Sequence, residues 1–215
     1  CSVKRKKCLR YATICSNAGF LGNPIAQGVF GMMGLTLASI YLIPQRIMMW
    51  SEGVSVFTEA PTKKEMLKKI FTHPCIIACE IGIVLMLTGW RPPHFLEETI
   101  TSVSNCNTAM SMLVIGMILA DADPKTIIDK DVLFYTFIRL LIIPFCVFIP
   151  CWLLHTDSLV MGVSVILAAM PAGATTTILA SKYDCEEEFS VKLVVFSTAA
   201  SLITTPLWNM ILLKF

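Results

Sequence analysis

Two short stretches of the sequence place proline, glycine and polar side chains inside otherwise apolar segments. The first is Asn17-Ala-Gly-Phe-Leu-Gly-Asn-Pro24, and the second is Met170-Pro-Ala-Gly173. Proline and glycine interrupt a helix, and the helix that follows begins with N–H groups that have no intrahelical partner. These N–H groups and the positive end of the helix dipole suit an anion, above all a carboxylate. The two stretches therefore predict one anion site built from two broken helices, in which Pro24 makes the first break and the half-helix ends at Ile25 and Ala172 face the ligand.

The candidate binding residues lie at these two interruptions and in the segment after the first one. Asn17 is seven residues before Pro24, and its carboxamide could donate to a ligand oxygen. Arg46 lies deep in an apolar segment, where it could hold a carboxylate or pair with Glu52 or Glu80. The full set of candidates is Asn17, Asn23, Pro24, Ile25, Gln45, Arg46, Pro171, Ala172, Gly173 and Thr175.

Three further charged residues need an explanation. Glu80 lies in the middle of an apolar segment and could carry a coupling proton or serve as a structural partner of Arg46. Asp184 follows the second interruption and is the other coupling candidate. Arg139 is within two turns of a polar loop, so we interpret it as a side chain that snorkels to the membrane interface.

The composition predicts an integral membrane protein that is all α-helical. Hydrophobic residues make up 55% of the 215 residues, and only 15% are charged, against about 25% in soluble domains. A spanning helix needs roughly 20 apolar residues. Seven segments meet this requirement, at 11–34, 35–57, 72–90, 100–120, 132–154, 158–182 and 189–213.

The basic residues predict the orientation of these segments. Lysine and arginine cluster in alternate connections, at residues 1–10, 58–71, 121–131 and 182–188. The positive-inside rule therefore places residue 1 in the cytoplasm and the C-terminus outside the cell membrane.

Several classes of protein do not fit the sequence. It has no phosphate-binding glycine loop, so an ATP-driven pump and a nucleotide cofactor are not expected. Cysteines, histidines and carboxylates do not occur at metal-ligand spacing, and no catalytic triad stands out, so neither a metal nor an enzyme is expected. Nucleic acid is not an expected partner. A seven-helix receptor or sensor and a passive anion channel remain alternatives to a carrier.

The two interruptions resemble the crossover motifs of the auxin efflux carrier family. Asn17 to Pro24 is similar to the first motif, and Ala168-Ala-Met-Pro171-Ala-Gly-Ala with Ala180-Ser-Lys-Tyr-Asp184 is similar to the second. Ser197-Thr-Ala-Ala-Ser-Leu-Ile-Thr-Thr-Pro206 resembles the last helix of that family. Within the family, Arg46 and the short 58–71 linker resemble the prokaryotic malate or malonate permeases more than the plant carriers.

The resemblance implies ten helices in two inverted repeats, with two broken helices that cross, as in bile acid symporters and auxin carriers. This chain would supply seven of the ten spans and lack about the first three. Residues 1–57 and 121–215 would form the transport domain, 58–71 a cytoplasmic linker and 72–120 the scaffold. The family also implies that Asn17 contacts a substrate carboxylate, whereas Asp184 stands where the plant carriers have asparagine. The expected partners are a small carboxylate, the lipid bilayer, a proton or sodium ion, and a second copy of the chain in a homodimer.

Overall fold

The computed structural model describes residues 2–49, 53, 55–57, 74–120, 128–212 and 214, and these are mostly helical. The all-α prediction is confirmed for this part of the chain. The predicted linker 58–71 and Glu52 lie outside the described residues. The helices are α1 Val3–Ile14, α2 Asn23–Met48, α3 Pro74–Thr88, α4 His94–Ala120, α5 Lys130–Phe137, α6 Ile143–Leu153, α7 Ser158–Ala168, α8 Thr175–Lys182 and α9 Glu187–Leu212, with π-helical turns at Ala18–Gly22 and Ile138–Ile142.

The first helix break lies at Cys15 to Asn17, about two turns before Pro24. Cys15 has extended backbone angles, and α1 ends there. Pro24 instead stands at the start of α2, directly after a π-helical turn. A proline ring clashes with the carbonyl four residues earlier, and a widened π turn is a known way to absorb such a distortion. The expectation that Pro24 makes the break is therefore wrong.

The second break lies between α7 and α8, where Ala169 to Ala174 leave the helical path. The two broken stretches cross and pair as a short antiparallel bridge between Ser16 and Ala172. The Asn17 N–H donates to the Pro171 carbonyl over 2.8 Å, and the Gly173 N–H donates to the Cys15 carbonyl over 3.1 Å. Each broken stretch thus supplies hydrogen bonds that the other has lost from its helix.

Helix α2 reverses direction at Gly31. The φ angle of Gly31 is +67°, a left-handed conformation that glycine adopts without penalty. A Cβ built on Gly34 would stand 2.6 Å from the Ala26 carbonyl oxygen, so the chain has folded back by this point. The predicted boundary between the first two spans, at 34/35, is therefore three residues late. The second arm returns to the first break, where Gln45 contacts Ser16.

Three described stretches are long and apolar enough to cross a bilayer: Ala18–Met48, Lys130–Leu153 and Glu187–Leu212. Because the first of these folds back at Gly31, each of its arms is only about 20–25 Å long. Helix α2 packs against α7, and α9 packs against α5 and α8. Buried residues of these helices and of α1 form two apolar clusters, one containing Tyr11 and Leu193 and the other Ile166 and Leu167. The crossing is held between these packed helices.

A proline and a tryptophan together explain the middle of the α5–α6 helix. Pro144 has no N–H, so the Leu140 carbonyl cannot receive its usual bond from four residues later. The indole Nε1–H of Trp208 donates to that carbonyl over 2.9 Å, and the group is buried. Trp208 therefore fastens α9 to the π turn by satisfying an orphan carbonyl.

Replacing Trp208 with Phe should destabilise the protein by about 1–3 kcal/mol, because a buried carbonyl would lose its donor. The neighbouring rings of Phe145 and Phe148 would still have an aromatic partner. Thermal unfolding of the detergent-solubilised protein measures the effect. Trp152→Phe is the matched control, since Trp152 is exposed. Equal stability of the two variants would contradict this role of Trp208.

One end of the molecule carries a network of ion pairs centred on Arg5. Its guanidinium lies 3.0 Å from Asp129 and 2.8 Å from Glu186, and Ser2 also bonds Glu186. The network joins α1 to the start of α5 and to the turn before α9. The Asp131 N–H and Arg5 lower the pKa of Asp129, and Ser2 and Arg5 lower the pKa of Glu186.

Because these carboxyl pKa values are lowered by folding, their contribution to stability is present above the unfolded values near pH 4 and is lost as the pH falls through the folded values. The thermal midpoint of the wild type should therefore drop more steeply between about pH 5 and about pH 3 than that of Arg5→Gln. Arg10→Gln, at an exposed arginine of the same helix, should follow the wild type. Parallel curves for wild type and Arg5→Gln would show that the network contributes nothing.

Candidate functional site

A small, open cavity of about 60 Å³ lies at the crossing of the two broken helices. Its walls come from the first break, the second arm of α2 and the start of α8. Five of the ten predicted binding residues line it: Asn17, Gln45, Arg46, Gly173 and Thr175. The remaining lining residues are Ser16, Gly19, Phe20, Leu42, Met49 and Ala174. Residues from both broken helices therefore meet around one space.

Asn17 places an unused hydrogen-bond donor at this cavity. Its side chain is 3% exposed, and its Nδ2 group has no hydrogen-bond partner among the described residues. The backbone of Asn17 is fixed by its bond to Pro171. A buried donor without a partner is unfavourable unless a ligand or water completes it. The position of Asn17 thus suits the binding of an oxygen ligand.

Two helices begin at the cavity with uncapped N-termini. The π turn begins after Asn17 and α8 begins after Ala174, and neither start has a side-chain cap. Within the described part of the chain, no partner accepts from the N–H groups of Ala18, Gly19, Ala174 or Thr175. Both positive dipole ends therefore meet the same space, an arrangement that favours an anion.

These helix starts are not the ones expected from the sequence. The expected ends were at Ile25 and Ala172. Ile25 instead lines a separate groove with Ser201 and Thr205. The Ala172 N–H is already used, because it donates to Ser197 Oγ over 3.1 Å. The sequence predicts these positions only if each helix restarts at its proline, whereas the backbone restarts elsewhere.

Arg46 supplies the positive charge at the cavity. A Cβ built on Gly19 would lie 3.4 Å from the Nη2 atom of Arg46, so the guanidinium lies directly beside the first helix start. No ion pair to Arg46 is formed by any residue that the structure describes, and Glu80 is exposed on α3. Within that part of the chain, no carboxylate competes with a ligand for the planar fork of donors of Arg46.

Gln45 lies one residue before Arg46 and fastens the second arm of α2 to the first break. Its Nε2 group donates to the Ser16 carbonyl over 3.2 Å and to Ser16 Oγ over 2.8 Å. Its Oε1 atom is buried and has no partner among the described groups. Gln45 therefore fixes the unwound chain and leaves an acceptor beside the cavity.

The other predicted residues lie outside the cavity. Asn23 and Pro24 are on the first arm of α2, and the Pro171 carbonyl is used in the crossing. Asp184 is on the exposed turn after α8, 3.5 Å from Lys4. Neither Glu80 nor Asp184 lines the cavity.

Arg139 is the residue that the sequence reasoning misread. It is 5% exposed, and its Nε atom donates to the Met170 carbonyl over 2.9 Å. Its Nη1 atom donates to the Thr13 carbonyl over 3.2 Å. Arg139 therefore binds the chain just before the first break and within the second, and the snorkelling interpretation is wrong. Its distance from the polar loop suggested snorkelling, whereas the presence of two broken helices elsewhere in the chain was the signal for buried carbonyls in need of a donor.

The sequence is similar to membrane transporters. A family model described as a membrane transport protein matches residues 58–209. An uncharacterized transporter of Methanothermobacter thermautotrophicus is 27% identical, covering 95% of this chain and 67% of its own. An uncharacterized transporter of Methanocaldococcus jannaschii is 24% identical, over 94% of this chain and 67% of its own length. The uncharacterized transporter YfdV of Escherichia coli is 21% identical, over 88% of this chain and 63% of its own length. The chain thus spans about two thirds of the length of these relatives.

The crossing leaves little room at Gly173, which gives a direct test. A Cβ there would stand 3.1 Å from the Cys15 carbonyl and 3.3 Å from the Ser16 carbonyl. Gly173→Ala should therefore push the two stretches apart and destabilise the protein by about 1–3 kcal/mol.

Gly28→Ala is the matched control, because a Cβ at this helical position meets nothing within 4 Å. It should leave stability unchanged or raise it by up to about 1 kcal/mol. Thermal unfolding compares the two variants. A Gly173→Ala protein as stable as Gly28→Ala would argue against the close crossing.

Proposed function

The chain belongs to the membrane transport protein family, the auxin efflux carrier family whose crossover motifs it carries, and we propose that it is a secondary carrier for a small organic anion. The observation that carries the proposal is the convergence of three positive features on one cavity. These are the uncapped helix start after Asn17, the uncapped start of α8, and the side chain of Arg46, which forms no ion pair with a described residue.

The cavity suits a small carboxylate in chemistry and limits the ligand in size. Its volume is about 60 Å³, against roughly 300–1,000 Å³ for typical ligand pockets, so the ligand would be a small anion. One carboxylate would accept from the Asn17 carboxamide and from the N–H groups at the helix starts. A second carboxylate on the same molecule would bind Arg46 bidentately. The site thus suits a dicarboxylate better than a monocarboxylate.

Transport would proceed by alternating access. The crossing is tied by backbone bonds, by Gln45 and by Arg139, so the two broken helices would move as one body. That body would shift against a scaffold that includes α3 and α4, and the cavity would face each side of the membrane in turn. A coupling proton or sodium ion would act through Glu80 or Asp184. Because both lie outside the cavity, the ion would act on the movement and would not touch the substrate.

The placement of the ion-pair network supports the proposed orientation. The start of α1, the start of α5 and the turn after α8 lie together at one end of the molecule. These segments belong to the basic connections that the positive-inside rule assigns to the cytoplasm. We therefore propose a multi-pass protein of the cell membrane with the start of α1 inside.

Replacing Asn17 with Ala tests the site. The loss of a hydrogen bond to a charged ligand should weaken binding about 10- to 100-fold, since such bonds contribute about 1.5–3 kcal/mol. Uptake of labelled succinate at subsaturating concentration should fall by the same factor in proteoliposomes of the whole protein. Asn209→Ala is the control, because Asn209 lines the groove between α2 and α9.

Normal uptake by Asn17→Ala at equal protein content would remove Asn17 from the site. Saturable uptake that is stimulated by internal unlabelled succinate would support a carrier. Unsaturable flux would instead indicate a channel, and binding without any flux would indicate a receptor.

A further inference from the structure

Arg139 joins the two broken helices through backbone carbonyls, whereas their uncapped starts present N–H groups. Its two bonds end on Thr13, in the last turn of α1, and on Met170, two residues beyond α7. Its electrostatic neighbours include Cys15, Tyr41 and Tyr135, which are neutral at physiological pH. No described carboxylate forms an ion pair with it. Among the described residues, the charge of this buried guanidinium is therefore balanced by the two backbone carbonyls alone.

The partial charges at the crossing explain the electrostatic effect of the two hydrogen bonds from Arg139. Each helix N-terminus carries about +0.5 of an elementary charge and each C-terminus about −0.5. The positive partial charges of the two helix N-termini at the cavity and the negative partial charges of the two helix C-termini before the breaks would therefore cancel each other at a distance. A full positive charge on the carbonyl ends removes this cancellation and leaves the crossing net positive.

The two carbonyls that Arg139 binds are close enough to the cavity for its charge to affect the affinity for a ligand. Met170 is three residues before Gly173, so it lies within about 11 Å of the cavity wall by chain length alone. At about 10 Å and an effective dielectric of about 20, one unit charge changes the affinity for another by about tenfold.

We propose that Arg139 is a specificity-determining positioning residue, which neutralises the two helix ends before the breaks and thereby makes the crossing selective for anions. This rests on the proposed function, since it concerns the same cavity. Its distinctive consequence is a dependence on ligand charge. A ligand with two negative charges gains twice as much from Arg139 as a ligand with one.

Equilibrium binding of labelled butyrate and succinate to the whole detergent-solubilised protein tests the proposal. Arg139→Gln, which retains donors but not charge, should bind butyrate about tenfold more weakly and succinate about 100-fold more weakly. Arg139→Lys, which retains charge but not the fork, should stay within about threefold of the wild type for both. Tyr135→Phe is the structural control, because it removes only a neutral bond to the Ala12 carbonyl on the same helix end. It should change neither affinity.

The outcomes separate the two claims. A wild type that binds neither carboxylate would overturn the proposed function and this inference together. Wild-type binding with equal losses for butyrate and succinate in Arg139→Gln, or with no loss, would overturn only the inference. The same losses in Arg139→Lys as in Arg139→Gln would also overturn it, since geometry and not charge would then be responsible.

A second variant applies if Arg139→Gln does not accumulate as a folded protein. The imidazole of Arg139→His is charged near pH 6 and neutral near pH 8.5, while butyrate stays ionised throughout. Its affinity for butyrate should fall several-fold between these two pH values, and that of the wild type should not. Identical pH profiles for the two proteins would contradict the proposal.

Discussion

Unwound backbone inside a membrane must find hydrogen-bond partners within the protein, and the structure depends on how this chain meets that constraint. The two broken stretches pair with each other through Asn17, Pro171, Cys15 and Gly173. Side chains from other helices satisfy several further backbone groups. Arg139 donates to the two carbonyl ends, Gln45 donates to Ser16, and the Ser197 hydroxyl accepts from Ala172. Every one of these bonds joins different segments, so the crossing also determines how the helices around it pack.

The same constraint produces the site. Carbonyl ends are neutralised by a buried guanidinium, whereas the N–H groups at the two helix starts are left without a partner in the described part of the chain. These N–H groups, the Asn17 carboxamide and Arg46 meet at one cavity. An anion bound there, as we propose, would complete what the protein leaves open, and the site would follow directly from breaking two helices that cross. A transported ligand needs such a site in the middle of the membrane.

Much of this organisation follows from the sequence because proline, glycine and apolar runs report directly on helix breaks and membrane spans. Asn17, Arg46 and Gly173 could be chosen on those grounds alone. The positions of the two breaks could not be predicted on those grounds. The π turn before Pro24 shows that a proline can be accommodated within a continuous helix. The reversal at Gly31 depends on one backbone angle that many glycines in apolar segments do not adopt. The role of Arg139 depends on contacts with residues 126 and 31 positions away, which no local pattern reveals.

The central claim is that the two helix starts, Asn17 and Arg46 hold one carboxylate ligand between them. An experimental structure of the whole protein with bromosuccinate bound, read from the anomalous signal of bromine, tests this most directly. The account predicts bromine density in the cavity at the crossing, with a carboxylate in hydrogen-bond contact with Asn17 Nδ2 and beside Arg46. Bromine in the groove between α2 and α9, with the cavity at the crossing empty, would contradict it.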